Sequence, residues 1–218
     1  MTPRAWAWAP LVLAALCLPP AALAGQVEVG RFSAGDLAGW EPKEFKGRTS
    51  YSLVGDQGRT VLRAEAMDSA SALIKEVRLD PGQYPILRWS WKVEGVLERG
   101  DARTKAGDDY AARVYVVFPS ALFWRTRAIN YIWANKLPRG EALPNAFTSN
   151  AMLLAVESGP GRAGQWVSEE RDLRQDFIRL FGEEPPTIGA VAIMTDSDNT
   201  HDRAVAYYGD ITLLSAAP

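Results

Sequence analysis

The sequence Leu-Arg-Trp-Ser-Trp-Lys-Val, residues 87–93, alternates apolar and polar side chains without a break. A repeat of two residues is the repeat of a β-strand, because successive side chains point to opposite faces. The stretch therefore predicts a half-buried strand. Its predicted buried face carries Leu87, Trp89, Trp91 and Val93.

The same alternation recurs in four other segments, and turn-forming residues separate the runs, for example at 80–82, 138–140 and 158–164. We count roughly ten strands, which is enough for two packed sheets. The predicted fold is an all-β, two-sheet antiparallel β-sandwich. The predicted inward positions are Leu62, Ala64 and Ala66; Val114, Val116 and Phe118; Ile129, Tyr131 and Trp133; and Val205, Tyr207, Ile211 and Leu213.

One helix is predicted near the end of the chain. Leu173, Phe177, Leu180 and Phe181 recur at helical spacing, and an aspartate precedes them while Gly182 and two prolines follow. An aspartate can cap the start of a helix and a glycine can end it. A single short helix among strands suits a sandwich, and no strand–helix alternation of nucleotide-binding folds is visible.

The first 24 residues have the pattern of a signal peptide. A single charge, Arg4, precedes an apolar run at 11–18, and the small residues at 22–24 suit a cleavage site. An uncleaved anchor is the alternative, but the run is short and Pro19 interrupts the pattern. We expect a single domain at 25–218 that is periplasmic or secreted and has no transmembrane segment after cleavage.

The composition limits the kinds of binding partner that the chain can have. Cys17 is the only cysteine and lies in the predicted signal peptide, so the mature chain has no thiol for a disulfide or a metal. The 24 basic and 26 acidic residues give a net charge of −2 and form no blocks. This pattern excludes a basic nucleic-acid footprint. We expect a monomer.

A polar loop, Thr-Asp-Ser-Asp-Asn-Thr at 195–200, follows the apolar strand predicted at 191–194. Asp196, Asp198 and Asn199 offer the hard oxygen ligands that Ca²⁺ prefers. The spacing is not that of an EF-hand. The alternative is an Asx-rich turn whose side chains bond their own backbone.

A second polar group comes from Asp108 and Asp109, which precede a predicted strand with Arg113 and Tyr115 on one face. An arginine beside aromatic rings can grip a sugar or a carboxylated ligand. An ordinary solvated ion pair explains the same residues.

Two further residues are candidates for ligand binding. Trp124, next to Arg125 in a turn-like stretch, is the tryptophan expected to be exposed. In the closing strand Asp210 is expected to face a concave sheet surface, together with Tyr208 and Thr212 on the side opposite Tyr207.

Support for catalysis is weak. The sole histidine, His201, lies in a polar loop, and no Gly-x-Ser-x-Gly elbow presents a serine. A carboxylate pair of the glycosidase type stays open, because several aspartates can meet in space. These are Asp108, Asp109, Asp196, Asp198 and Asp210.

Several motifs in fixed order resemble the bacterial family catalogued as domain of unknown function 3047. They are Gly39-Trp40, Thr49-Ser50-Tyr51, Trp89-Ser90-Trp91-Lys92, the run 107–115, Asn130-Tyr131-Ile132-Trp133 and the runs 195–200 and 207–211. The family has no established activity. More loosely, residues 32–51 and the closing strand are similar to galactose-binding-like jelly rolls of carbohydrate-binding modules, a resemblance that implies a sugar site and a structural Ca²⁺.

Three hypotheses on function follow. The first is an exported, non-catalytic binding module for a glycan or another polar cell-envelope ligand. The second is a metal-assisted hydrolase or lyase acting on an envelope polysaccharide, with Asp196 and Asp198 as metal ligands or acid/base groups. The third is a scaffold whose polar face docks another protein.

Overall fold

A computed structural model describes residues 25–216 of the chain. The predicted signal peptide, with Cys17, and the last two residues lie outside the described residues. Within the described part, no helix is long and apolar enough to cross a membrane.

The described residues form two β-sheets, with strands numbered in chain order. The six-stranded sheet contains β1 (Gln26–Gly30), β3 (Ser50–Asp56), β4 (Arg59–Met67), β6 (Ile86–Val93), β11 (Val167–Asp172) and β13 (Arg203–Leu214). The seven-stranded sheet contains β2 (Trp40–Lys46), β5 (Ala70–Leu79), β7 (Arg113–Phe118), β8 (Arg127–Ala134), β9 (Ala142–Asn145), β10 (Thr148–Ser158) and β12 (Ile188–Asp196). The predicted two-sheet sandwich is confirmed.

Strand order shows how the sheets are built. The seven-stranded sheet runs β2-β5-β12-β7-β8-β10-β9, and the six-stranded sheet runs β11-β6-β13-β4-β3 with β1 on β13. The strand pairs of the described residues are antiparallel except β8 with β10, which are parallel. The sheets are thus antiparallel as predicted apart from this one pair, which arises because the short strand β9 forms the sheet edge and lets β10 return beside β8.

The core lies between the two sheets, where the predicted alternation holds. The four inward residues of 87–93 are all buried. Trp89 packs on Tyr131 with ring centroids 5.3 Å apart, and Trp91 packs on Trp133 at 5.9 Å. These rings join β6 to β8, one strand from each sheet, so aromatic burial holds the layers together.

The alternation in β13 breaks at a β-bulge. Register shifts between Tyr208 and Ile211 where β13 pairs with β6. Tyr208 is consequently buried, whereas Tyr207 on the preceding position is only half-buried. The expectation that Tyr208 faces outward was wrong, because an extra residue in one strand inverts the inward and outward positions before it.

The predicted helix is confirmed as α1 (Leu173–Phe181). The Asp172 side chain accepts a hydrogen bond from the Gln175 backbone N–H at 2.9 Å, and Gly182 ends the helix at φ 74°. Phe177 packs against Phe118 with centroids 4.6 Å apart. The helix therefore closes the core beside the end of β7.

Candidate functional site

The candidate site lies on the outer face of the seven-stranded sheet. Core positions such as Val114 and Ile193 alternate with residues that point away from the core, so Arg113, Tyr115 and Asp196 share the outer face. Together with the adjoining loops this face forms a cleft of about 500 Å³. The cleft is lined by Phe45, Ala70, Asp108, Arg113, Tyr115, Asn130, Asn145, Phe147, Thr148, Ala151, Met194, Asp196, Asp198 and Asn199.

Arg113 is buried at the floor of the cleft and is 3 % exposed. Its guanidinium makes a bidentate ion pair with Asp196, in which Nε donates to Oδ1 at 2.9 Å and Nη2 donates to Oδ2. Nη2 also donates to the Asp108 carbonyl oxygen at 2.5 Å, and Nη1 donates to the Tyr115 hydroxyl at 3.1 Å. Four of the five N–H donors of this side chain are therefore used within the protein.

The segment before β7 is tied to the end of β12. The Tyr110 backbone N–H donates to Asp196 Oδ1 at 3.0 Å, and the Asp196 backbone N–H donates to the Tyr110 carbonyl at 3.3 Å. The ring of Tyr110 lies under the Arg113 guanidinium, 4.4 Å from centroid to Cζ. This double connection fixes Asp108 beside Arg113.

Asp108 turns its carboxylate into the cleft. Oδ2 accepts a hydrogen bond from Asn145 Nδ2 at 2.7 Å. Oδ1 is buried and has no hydrogen-bond partner among the described residues, and the same is true of Asn130 Oδ1. The nearby Tyr110 hydroxyl is also buried without a partner, and burial raises its pKa, with Asp108 adding to the increase.

Asp109 has a different role from the one predicted. It is fully buried and does not line the cleft. Its carboxylate accepts hydrogen bonds from the Thr200 backbone N–H at 2.6 Å, the Thr200 hydroxyl at 2.7 Å and Asn199 Nδ2 at 2.9 Å. Asp109 therefore holds the 195–200 loop against the segment before β7.

Three carboxylates converge at the cleft, two of them from its lining. Asp109, Asp196 and Asp198 each place one oxygen within 4.8 Å of the others. Burial raises the pKa of Asp196 to about 7 against the opposing effect of Arg113. Burial, with Asp109 as a second cause, also raises the pKa of Asp198.

The carboxylate spacing suits one cation, but the donor set differs from the predicted one. Asn199 directs its Nδ2 toward Asp109 and Asp198, so its nitrogen and not its oxygen faces the carboxylates. Both oxygens of Asp196 already bond Arg113. A calcium ion at this point would use Asp109 in place of Asn199, with Asp198 as the ligand least committed to other bonds.

Two phenylalanines flank the cleft from different strands. Phe45 in the edge strand β2 is 60 % exposed, and Phe147 in the turn between β9 and β10 is 57 % exposed. A lysine lies over each ring, with Lys43 Nζ 5.7 Å from the first centroid and Lys105 Nζ 5.3 Å from the second. Sequence reasoning missed both rings. The available signal was an aromatic residue inside the polar run 43–48 and another in the turn after Asn145.

Two predicted ligand residues lie elsewhere. Trp124 is exposed as expected, but it lies in the connection between β7 and β8 and does not line the cleft. Asp210 lies on the outer face of the other sheet, where its carboxylate accepts hydrogen bonds from the Ser33 backbone and hydroxyl. Asp210 therefore lies on the other layer from Arg113, because β13 belongs to the six-stranded sheet.

The outer face continues beyond the cleft along the same strands. A second depression of about 920 Å³ is lined by residues further along β2, β5, β7 and β12, including Lys43, Glu76, Val117 and Ala190. Ala72 and Ala192 occupy the sheet between the two depressions. Both alanines are buried beside larger residues of the neighbouring strands, and the two depressions lie one after the other along the same strands.

The profile of the family described as "Protein of unknown function (DUF3047)" matches residues 38–212. The chain belongs to this family. No curated protein matches the chain. The motifs quoted from the sequence thus identify the family correctly, and most of them lie in the strands and loops around the two sheets.

Solved structures with a similar fold include carbohydrate-binding modules. The family 30 carbohydrate-binding module of the cellulosomal cellulase Cel9D-Cel44B of Clostridium thermocellum has a TM-score of 0.52 at 11 % identity, covering 88 % of this chain and 99 % of that one. The family 11 module of Lic26A-Cel5E of the same organism has a TM-score of 0.49 at 9 % identity, covering 89 % and 97 %. The first comparison shows that this DUF3047 chain shares the β-sandwich fold.

The chemistry available in the cleft is hydrogen bonding and ring stacking. Arg113 and Asp196 are joined by a bidentate ion pair, which makes the floor of the cleft rigid. Asp108, Asn130 and Asn145 present polar atoms above it. The exposed rings of Phe45 and Phe147 supply apolar surface at the sides.

Proposed function

We propose that this DUF3047 protein is a non-catalytic glycan-binding module, and that the outer face of the seven-stranded sheet is its binding surface. The observation that carries the proposal is the cleft with exposed phenylalanines at its sides and buried polar groups at its floor. Ligand sites combine apolar and aromatic walls with a few placed polar groups in this way. The fold shared with a carbohydrate-binding module adds support.

Sugars suit this cleft because they are amphipathic. The ring carbons can pack on Phe45 and Phe147, while the hydroxyl groups can bond the polar side chains of the floor. Phe45 and Phe147 are both more than half exposed and flank the same cleft, and apolar surface gathered at one place with polar groups around it is typical of an interaction site.

The length of the surface supports a chain of several sugars. The cleft and the second depression follow β5, β7 and β12. A strand rises about 3.3 Å per residue, so the six steps from Ala190 to Asp196 span roughly 20 Å. An oligosaccharide of several units is the ligand class that uses this length.

The proposal also includes export of the protein from the cytoplasm and a bound calcium ion. The pattern of residues 1–24 supports secretion to the periplasm or beyond, where an envelope glycan is accessible. A calcium ion held by Asp109, Asp196 and Asp198 would join the 195–200 loop to the segment before β7. We rank the enzyme alternative second, because Asp196, one of its two proposed acid/base groups, is held in a bidentate ion pair with Arg113.

Calorimetric titration of the mature protein with soluble envelope polysaccharides and defined oligosaccharides tests the proposal. We expect binding to at least one glycan, and loss of that binding when both rings are removed in a Phe45→Ala, Phe147→Ala variant. The matched control is Met67→Ala, because Met67 is 69 % exposed and does not line the cleft. Absence of binding across the panel would overturn the proposal, and release of shortened products would favour a hydrolase or lyase.

A further inference from the structure

We propose that the ligand of the cleft carries hydrogen-bond donors and no negative charge, so that the site selects neutral or amine-bearing sugars against uronic acids. This inference rests on the proposed glycan-binding function and names the class of sugar. Of the two ligand types expected for Arg113, a sugar or a carboxylated ligand, it keeps only the first.

Two residues of the cleft lining carry a buried oxygen that receives no hydrogen bond. Asp108 and Asn130 line the cleft, and the Oδ1 atom of each is buried without a hydrogen-bond partner among the described residues. Asp108 is 5 % exposed and Asn130 is 1 % exposed. A buried polar atom without a partner is destabilising, so such an atom in a binding cleft indicates a missing ligand group. An acceptor is satisfied by a hydroxyl, an amide N–H or an ammonium group.

Arg113 is not available to balance an acid. Its guanidinium is neutralised by the bidentate contact with Asp196, and only one N–H of Nη1 is not used within the protein. The partly free Nη1 lies 3.8 Å from Asp108 Oδ2 and so faces a second carboxylate. An incoming carboxylate would have to compete with both aspartates.

The charge of the cleft lining is negative. Asp108, Asp196 and Asp198 line the cleft, whereas Arg113 is the only cation among the lining residues. Lys43, Lys46 and Lys105 lie nearby: two of them cover the flanking phenylalanines, and Lys46 donates to the Asp198 carbonyl oxygen at 2.9 Å. These lysines do not line the cleft, and exposed charges are screened by salt more strongly than buried ones.

The test compares four oligosaccharides of equal length by calorimetry: hexamers of glucose, N-acetylglucosamine, glucosamine and galacturonic acid. We expect the tightest-binding neutral or amine-bearing hexamer to bind at least tenfold more tightly than the galacturonic acid hexamer. The ratio of the two affinities should be smaller in Asp108→Asn, because this substitution removes one negative charge and keeps the shape of the side chain. Affinity for the preferred hexamer should fall about tenfold, the change expected when a hydrogen bond to a charged group is lost.

Asn130→Ala is the second variant. The Oδ1 atom of Asn130 has no hydrogen-bond partner among the described residues, so its removal breaks no hydrogen bond to that atom. We expect an unchanged near-ultraviolet circular dichroism spectrum and a several-fold loss of affinity. Asp210→Asn, on the outer face of the other sheet, is the matched control and should bind like the parent protein.

The outcomes separate the two proposals. Tightest binding of the galacturonic acid hexamer overturns the inference and leaves glycan binding intact. Unchanged affinity in both Asp108→Asn and Asn130→Ala also overturns it. If none of the four hexamers and none of the envelope polysaccharides binds, the proposed function itself fails.

Discussion

Arg113 and Asp196 meet on the outer face of the seven-stranded sheet, with Arg113 Nε 2.9 Å from Asp196 Oδ1. Arg113 pairs in register with Met194, so Asp196 lies two residues further along the neighbouring strand. Both side chains are buried, and the ion pair forms the floor of the cleft. It thus links the stability of the sandwich to the shape of the candidate site.

Removal of one partner of this pair should be strongly destabilising. We expect Arg113→Leu to lower the free energy of unfolding by about 3–5 kcal/mol, because Asp196 is left as an uncompensated buried carboxylate. Urea denaturation measures the loss. The control is Arg203→Leu, which breaks an exposed ion pair with Glu65 and should cost less than about 1 kcal/mol.

The double variant Arg113→Leu, Asp196→Leu sharpens this prediction. Replacement of both charges avoids the unpaired carboxylate, so the double variant should be more stable than Arg113→Leu alone. Equal losses in the Arg113→Leu and Arg203→Leu variants would contradict the assignment of a structural role to the buried pair.

The phenylalanines at the sides of the cleft should affect binding and not folding. Because Phe45 and Phe147 are more than half exposed, Phe45→Ala and Phe147→Ala should each change the free energy of unfolding by less than about 0.5 kcal/mol. Each should weaken binding of a glycan ligand by several-fold or more. Thermal denaturation and calorimetry on the same samples separate the two effects, and Met67→Ala should alter neither. A large loss of stability without a loss of affinity would count against ring stacking.

Glu169 should make stability depend on pH. It lies on β11 opposite Trp89, and Oε1 is buried without a hydrogen-bond partner among the described residues. Burial, with Glu157 as the second cause, raises the pKa of Glu169 from 4.5 to about 7. The folded protein therefore holds this proton more tightly than the unfolded chain. The protonated Glu169 is compatible with its buried site, so the protein has its full stability with respect to this group below about pH 4.5. That stability is lost as the pH rises to about 7 and the buried carboxyl group ionises.

Glu169→Gln should remove this dependence, because a glutamine stays neutral throughout. Urea denaturation at pH 5 and pH 8 measures it: the parent protein should lose stability on the order of 2 kcal/mol from this group, and the variant should not. Glu170→Gln is the neighbouring control, since Glu170 is exposed and paired with Arg88. If Glu169→Gln kept the pH dependence of the parent protein, the assignment of that dependence to Glu169 would be contradicted.

Gly107 should be required for the placement of Asp108. A Cβ atom at this position would collide with the Asp101 backbone nitrogen and crowd the Asp101 carbonyl oxygen. We expect Gly107→Ala to cost about 1–3 kcal/mol, because the backbone must move to make room. Gly161→Ala is the control, since a Cβ there meets no atom within 4 Å. Equal unfolding midpoints for Gly107→Ala and Gly161→Ala would show that the backbone of the segment before β7 can move without a loss of stability.

Calcium, if bound as proposed, should stabilise the protein. We expect millimolar Ca²⁺ to raise the melting temperature by a few degrees relative to a chelator, because a ligand of the folded state adds to its stability. Asp198→Asn should abolish the increase. Asp202→Asn is the control, since the Asp202 carboxylate bonds the Arg203 backbone N–H and lies outside the carboxylate cluster. An identical melting temperature with Ca²⁺ and with chelator would end the calcium proposal.

Sequence periodicity predicted most of the fold because the alternation of a strand is a local property. Trp89, Trp91 and Tyr131 are buried as their positions in alternating runs required. The helix was predicted with its ends, because Asp172 and Gly182 act on the backbone of their immediate neighbours. The bulge in β13 was not predicted, although Gly209 between Tyr208 and Ile211 is the kind of residue that often marks a bulge in a strand.

The candidate site could be predicted only in part, because its members are distant in sequence. Asp108, Arg113 and Tyr115 lie within one short run, and the structure does bring them to one face. Asp196 is 83 residues from Arg113, and only the pairing of β7 with β12 makes it the arginine's partner.

By itself, the sequence determined the alternating strands, the single helix and the family, since these depend on the order of neighbouring residues. The tertiary structure decided which strands share a sheet, and thereby that Phe45 and Phe147 flank one cleft while Asp210 lies on the opposite layer. The physical reason is that sheet order is set by burial of apolar faces between layers. The identity of each strand's neighbours is a property of the whole core and not of any one segment.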